Sequence, residues 1–267
     1  MTLTGWSGAR WAFTSSRIRT VYAYRTDVLI WLVAPAMQIV LQAALWRAIY
    51  GDRSIVDGVP LAMMTTYVSL AAIQHLIGWD DTTDWLIERV RDGKIGTDMA
   101  RPVGLLTQQV CGQVAQLIVK APMVTLLLPV VILASGLTAP APGALGPYLL
   151  STLLGWMVNC CLSLLVASVA FWTLELNGME FLYYVLSGFL SGTLVPLWVM
   201  PDWLRTIVEW LPWQSVVYTP VAIYIGRFEG ARVWEAIGVQ SLWLVLVGGL
   251  TWLVWRRAVH RVVVQGG

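Results

Sequence analysis

The chain has 267 residues, of which 58% are hydrophobic and only 12% are Asp, Glu, Lys or Arg, and its formal net charge is +2. Soluble domains carry about a quarter charged residues, so this composition excludes an ordinary water-soluble globular protein and requires lipid as the solvent. A net charge this small gives no indication of a nucleic-acid partner.

The first 27 residues form a basic, aromatic leader ahead of the first long apolar run. The leader contains Arg10, Arg17, Arg19 and Arg25. It is too long and too aromatic for an ordinary secretory signal, so we expect the first apolar run to act as a retained signal-anchor.

Six apolar runs follow, each long enough to cross a membrane. A bilayer core of about 30 Å needs about 20 helical residues, and helices satisfy their own backbone hydrogen bonds in lipid. No run alternates as a barrel strand does. We therefore predict an all-α integral membrane protein with a single transmembrane domain over 28–267. Its six spans are 28–49, 60–78, 109–133, 148–174, 181–199 and 236–255.

The distribution of Lys and Arg predicts the orientation. With the N-terminus inside the cell, the inner segments hold eleven of these residues: Arg10, Arg17, Arg19, Arg25, Arg89, Arg91, Lys94, Arg101, Arg256, Arg257 and Arg261. The outer segments hold four: Arg53, Arg205, Arg227 and Arg232. Cytoplasmic loops carry the excess of basic residues, so we expect both termini in the cytoplasm, which six spans allow.

The connection at 80–101 differs from the others in its charge. It holds ten of the chain's 32 charged residues. We expect Asp81 to cap a short helix, with Asp84 in its first turn and Gly93 at its end. Such a segment is either a solvated polar turn on the membrane surface or a docking element for a cytoplasmic protein, whose groove would take an apolar face rimmed by charges.

The stretch at 200–235 is apolar but broken. Pro201 and Asp202 can open a helix, Pro212 ends it, and Pro220 interrupts a second apolar piece at 216–225. Neither piece is long enough to be a span. The stretch therefore forms either re-entrant helices or an amphipathic loop on the membrane surface.

Several polar residues fall within the predicted spans, where they are costly and usually face protein or water. They are Gln38 and Gln42 in span one, Gln113, Gln116 and Lys120 in span three, and Asn159 in span four. The span-three residues lie on one helical face. This stripe either projects into the cytoplasm or interface, with Lys120 extending to the surface, or lines a subunit interface or translocation path. Gln38, Gln42 and Asn159 are candidates for the same path or interface.

No catalytic or cofactor-binding pattern is present. The chain lacks GxxxxGK[ST], HExxH and GxSxG, and its three cysteines have no metal-ligand spacing. We therefore expect no enzyme activity, cofactor or metal, so any energy for transport must come from another chain. One function that remains open for such a chain is that of an autonomous secondary transporter or channel. It would require ion-coupling carboxylates well inside the spans.

The charged connection at 80–101 also resembles part of a known protein family. Residues 92–103 read DGKIGTDMARPV. This stretch is similar to G-K-I-D-x-x-L-x-R-P in one branch of the permease subunits of type-2 ABC exporters, although Gly96 and Thr97 stand where Asp is common. The N-terminal leader, the six spans and the long loop after span two extend the resemblance over the whole chain.

The resemblance implies a multi-pass permease subunit in a bacterial cell membrane, paired with a second permease, the same or related, and with a separate ABC ATPase. It implies that 1–27 is an amphipathic interfacial helix, that about 81–91 is a cytoplasmic coupling helix seated in the ATPase, and that the helices after span five dip into the outer leaflet. The implied ATPase-coupling residues are Asp81, Asp84, Trp85, Leu86, Glu88, Arg89, Arg91, Gly93, Lys94 and Arg101, and the motif also includes Ile95 and Pro102.

Overall fold

The computed structural model describes residues 3–23, 25–101, 103–173 and 177–265. These residues form eleven α-helices and one pair of short strands. The helices are α1 Leu3–Ala23, α2 Arg25–Tyr50, α3 Leu61–Gly78, α4 Thr82–Arg91, α5 Ile95–Met99, α6 Leu105–Ser135, α7 Leu145–Ser168, α8 Asn177–Leu190, α9 Asp202–Glu209, α10 Tyr218–Tyr224 and α11 Ala231–Gln265. The motif residue Pro102 and the predicted end of span four at 174 lie outside the described residues.

Five helical segments of the described chain are long and apolar enough to cross a membrane. They are Val28–Tyr50, Leu61–Arg91, Leu105–Ser135, Leu145–Phe171 and Ala231–Val259. Large apolar side chains cover their outer surface, and Leu133 and Val245 are 84% and 71% exposed. A surface this apolar is unfavourable in water and favourable in lipid. The prediction of a helical membrane protein is therefore confirmed.

The predicted fifth span, 181–199, is interrupted. Its helix, α8, ends at Leu190, and 14 residues reach only about 21 Å. Gly192 then turns the chain with φ +85°, and Pro196 precedes a 3-10 helix at Leu197–Val199. The apolar run therefore continues beyond its helix, because Gly192 and Pro196 break the helix without breaking the hydrophobicity.

The strands β1 Ile55–Val56 and β2 Val59–Pro60 form a small antiparallel hairpin that the all-α prediction omitted. Asp57 and Gly58 make its turn with φ of 47° and 74°. Positive φ at both central residues is what a two-residue type I′ hairpin requires, and Asp-Gly is a preferred pair for it. The hairpin closes the connection between α2 and α3.

The stretch at 200–235 divides into a surface part and a buried part. In α9 only Val208 is buried, whereas all seven residues of α10 are buried. Between them, a 3-10 helix at Pro212–Ser215 lies against α7. Gln240 of α11 is fully buried and donates from Nε2 to the Ser215 carbonyl at 2.8 Å, which fixes this turn inside the bundle.

The long helices pack in two groups. In the first group, α6 packs against α1, α2 and α3. In the second, α7 packs against α4, α10 and α11. The groups are joined by the connection from α3 to α4 and by the packing of α3 against α7 and α10, and a seam runs between α6 and α7.

Candidate functional site

The charged loop folds into α4 and α5, which follow the end of α3. Asp80 accepts a hydrogen bond on Oδ1 from the Thr82 N–H at 2.9 Å. Asp81 stands at the predicted N-cap position, but its side chain makes no hydrogen bond to the helix start. Its carboxylate instead accepts a hydrogen bond from Gln116 Nε2 and lies 3.7 Å from Arg17.

One face of α4 attaches the helix to the membrane-spanning bundle. Leu86 is fully buried at the centre of an apolar cluster. The cluster draws on α5, α6, α7 and α11 and contains Leu86, Ile95, Leu105, Leu164, Ala167, Phe171, Trp255 and Ala258. Each large buried aliphatic side chain contributes about 1.5–3 kcal/mol. The cluster therefore holds α4 as part of the bundle rather than as a free loop.

The opposite face of the loop is charged and open to solvent. Its exposed predicted coupling residues are Asp84, Glu88, Arg91, Gly93, Lys94 and Arg101. Gly93 has φ +68°, which allows the tight turn from α4 into α5. The Lys94 ammonium donates to Asp92 Oδ2 at 2.7 Å and lowers the pKa of that carboxyl. This face presents both acidic and basic side chains, while the opposite face of α4 is packed against the bundle.

Asp98 holds α4, α5 and the start of α6 together, and sequence reasoning did not single it out. Its side chain is fully buried and pairs with Arg89 at 3.2 Å and Arg101 at 3.1 Å. Gln108 Nε2 donates to the Asp98 carbonyl at 2.9 Å. Arg89 also lies over the Trp85 ring at 5.2 Å. The sequence signal that could have identified it is a single acidic residue between Lys94 and Arg101, after the turn at Gly93.

The polar stripe of span three is buried against the junction of α3 and α4. Gln113 Nε2 donates to Thr82 Oγ1, and Gln116 Nε2 donates to Asp81 Oδ1. Lys120 is 1% exposed and donates to the Trp79 carbonyl. The ammonium is thus enclosed by the chain itself. These contacts tie the start of α4 to α6.

Asn159 of α7 ties the same junction to the second group of helices. Its Nδ2 donates to the Gly78 carbonyl at 2.6 Å and lies 3.4 Å from Asp80 Oδ2. Gly78 is the last residue of α3. The end of α3 is therefore held by α6 on one side and by α7 on the other.

Gln38 and Gln42 lie elsewhere, on one half-buried face of α2. Among the described residues, Gln42 Oε1 is buried without a hydrogen-bond partner. A buried acceptor without a donor is uncommon and costs about 1–3 kcal/mol. The structure does not bring these two residues together with the α4 junction, and a role in a path or interface stays a prediction.

Removing the Lys120 ammonium is expected to destabilise the protein. In Lys120→Met the Trp79 carbonyl loses its donor, and an unpaired buried acceptor costs about 1–3 kcal/mol. The apparent melting temperature in detergent should fall by several degrees. Lys94→Met, at an exposed lysine, should change stability by less than about 0.5 kcal/mol. Equal melting temperatures for the two variants would contradict a structural role for the Lys120 contact.

The described residues contain no group of three or more His, Cys, Asp or Glu side chains placed to hold a metal ion. The candidate site consists of the charged outer face of α4, its apolar inner face and the buried junction with α3 and α6.

The family model described as ABC-2 family transporter protein matches residues 36–266. The match covers well over half of the chain and includes α4, α5 and the polar stripe of α6. No curated protein and no solved structure matches the chain.

Proposed function

Because the chain belongs to the ABC-2 family of transporter proteins, we propose that it is the permease subunit of an ATP-driven exporter and that α4 is its contact with a separate ATPase. In this proposal two permease chains, identical or related, enclose the translocation path. The membrane is a bacterial cell membrane, and both termini and α4 face the cytoplasm.

The observation that carries the proposal is the two-sided character of α4. Leu86 is fully buried in the bundle, whereas Asp84 and Glu88 are exposed on the opposite face. A helix that only joined two spans would need neither the buried anchor nor charges of both signs outside it. Complementary charges at a protein interface orient the partner and exclude wrong partners.

The contacts of α4 provide a route for mechanical coupling. A displacement of α4 acts on α6 through Gln113 and Gln116, and on α7 and α11 through the apolar cluster around Leu86. Packed helices move as rigid bodies between alternative arrangements. ATP-driven motion of the partner would therefore shift both groups of helices, and the seam between α6 and α7 would be the surface along which they move.

The position of the buried acidic residues favours this function over an autonomous secondary transporter or channel. Among the residues whose side chains the structure describes, which do not include Asp27, Glu175 and Glu180, the buried acidic ones are Asp80 and Asp98. Both lie beyond the end of α3 and contact protein groups of the α4 region. Ion-coupled transporters place such groups near the middle of the membrane.

A charge reversal on α4 tests the proposal. The ATPase that copurifies with the wild-type chain from its source cells, identified by its Walker sequence, is coexpressed with Asp84→Lys/Glu88→Lys. In this proposal the ATPase presents basic groups to Asp84 and Glu88, so the two lysines would face like charges. Such a juxtaposition costs several kcal/mol, and the amount of copurified ATPase should fall at least about tenfold. Membrane insertion should be unchanged, because both residues are exposed.

The matched control is Asp202→Lys/Glu209→Lys, which reverses two exposed acids on α9 and should keep the ATPase at the wild-type level. Wild-type ATPase recovery by the α4 variant would refute the docking role. Transport by proteoliposomes that contain the chain and no ATPase would instead favour an autonomous transporter.

A further inference from the structure

An apolar groove opens along the seam between the two groups of helices. It has a volume of about 200 Å³ and is lined by α6, α7 and α11, with Thr82 of α4 at one end. Its walls include Leu106, Val110, Cys161, Leu164, Gly248 and Trp252. The groove lies near the end of the bundle that carries α4.

The groove is open to the surroundings of the bundle rather than enclosed in its core. Val110 and Trp252, on its two sides, are 53% and 50% exposed. The helices that line it are among those long and apolar enough to cross a membrane, so lipid can reach the groove. Gly248 contributes no side chain, and a Cβ there would lie 3.7 Å from Cys161 Sγ.

A fixed positive charge stands beside the groove. Arg256 lies one turn after Trp252 on α11, and its guanidinium carbon is 4.7 Å from the centroid of the Trp252 ring. An arginine over a tryptophan ring is held by cation–π attraction while it keeps hydrogen-bond donors free. The same tryptophan thus forms a wall of the groove and a support for the cation.

We propose that the groove binds one acyl chain of an anionic phospholipid, whose headgroup phosphate is held by Arg256. The apolar walls suit a hydrocarbon chain, the opening faces lipid, and Arg256 supplies charge complementarity at the level of the headgroups. The bound lipid fills the seam between α6 and α7 on the side of α4.

Photo-crosslinking in nanodiscs tests this site with the full chain. Phosphatidylglycerol carrying a diazirine in its acyl chain is compared with phosphatidylcholine carrying the same chain, and crosslinked residues are mapped by peptide mass spectrometry. For the wild-type chain, crosslinks at 106–113 and 248–255 should be about fivefold more frequent with phosphatidylglycerol.

Two pairs of variants separate the charge from the groove. Arg256→Gln should reduce phosphatidylglycerol labelling to the phosphatidylcholine level, whereas Arg257→Gln, one residue further along α11, should retain the preference. Gly248→Phe should block labelling by both lipids, whereas Gly249→Phe should not, because a Cβ at Gly249 meets nothing within 4 Å.

Equal labelling of the wild-type chain by the two lipids, or unchanged preference in Arg256→Gln, would overturn the proposal. Arg256 is exposed, so its variant does not depend on repacking of the bundle. Labelling is measured without ATPase, so this result is independent of the proposed coupling through α4.

Discussion

Replacing Gly155 with alanine is expected to destabilise the protein by about 1–3 kcal/mol, although alanine is the better helix former. Gly155 lies within α7, where the turn Pro212–Ser215 crosses it. A Cβ at this position would lie 2.5 Å from the Ser215 carbonyl oxygen and 3.1 Å from the Val216 carbonyl oxygen. These are backbone atoms, so no side-chain rotation relieves the clash.

The turn cannot move away easily, because the Ser215 carbonyl is also bound by Gln240 Nε2 at 2.8 Å. We expect Gly155→Ala to lower the apparent melting temperature in detergent and to reduce the yield of monodisperse protein. Gly146→Ala, in the first turn of the same helix, meets nothing within 4 Å and should be neutral or stabilise by up to about 1 kcal/mol. If Gly155→Ala and Gly146→Ala changed the melting temperature in the same direction, the close approach of Pro212–Ser215 to Gly155 would be absent.

Asn in place of Asp98 is expected to weaken ATPase association about tenfold. The substitution keeps the side-chain shape but removes the buried charge that pairs with Arg89 and Arg101. Breaking a fully buried ion pair costs about 3–5 kcal/mol. The side chains of the two arginines are 29% and 45% exposed, so water compensates part of that cost. About 1–2 kcal/mol remains. This lowers by roughly tenfold the population of chains in which α4 is held in the arrangement that binds the ATPase.

The measurement for Asp98→Asn is the amount of copurified ATPase at equal amounts of purified chain. Asp92→Asn is the matched control, because Asp92 is an exposed acid near the same turn and pairs with Lys94 at 2.7 Å. A surface ion pair contributes at most about 1 kcal/mol, so this control should bind nearly normally. If both variants retained wild-type association, Asp98 would have no role in the geometry of α4.

The membrane-spanning helices were the most predictable part of the fold. Continuous apolar runs of about 20 residues leave no alternative to a helix in lipid, because every backbone polar group must be satisfied within the segment. The predicted fifth span shows the limit of that argument. Hydrophobicity continues through Gly192, but the backbone turns there, and the Gly192 carbonyl accepts a hydrogen bond from the Tyr67 hydroxyl at 2.9 Å.

The candidate site was predicted in part. Charge density located α4, but the apolar face that was expected to enter a partner's groove is buried in the bundle around Leu86. Asp98 and the partners of Lys120 were not predicted, because ion pairs and hydrogen bonds between distant segments leave no periodic pattern in the chain. That Asp80, not the N-cap residue Asp81, accepts the hydrogen bond from the Thr82 N–H was missed for the same reason, since Gln116 binds the Asp81 carboxylate across 35 positions of sequence.

The sequence by itself determined that the chain is a helical membrane protein and that residues 80–101 interrupt it with a charged element. Both conclusions follow from local composition, which sets the solvent that each segment requires. Only the tertiary structure decided that α4 is fixed by Leu86 and the α6 stripe, that Pro212–Ser215 crosses α7 at Gly155, and that a groove opens beside Arg256. Each of these depends on which segments pack together, and packing is set by shape and hydrogen bonding between residues far apart in the chain.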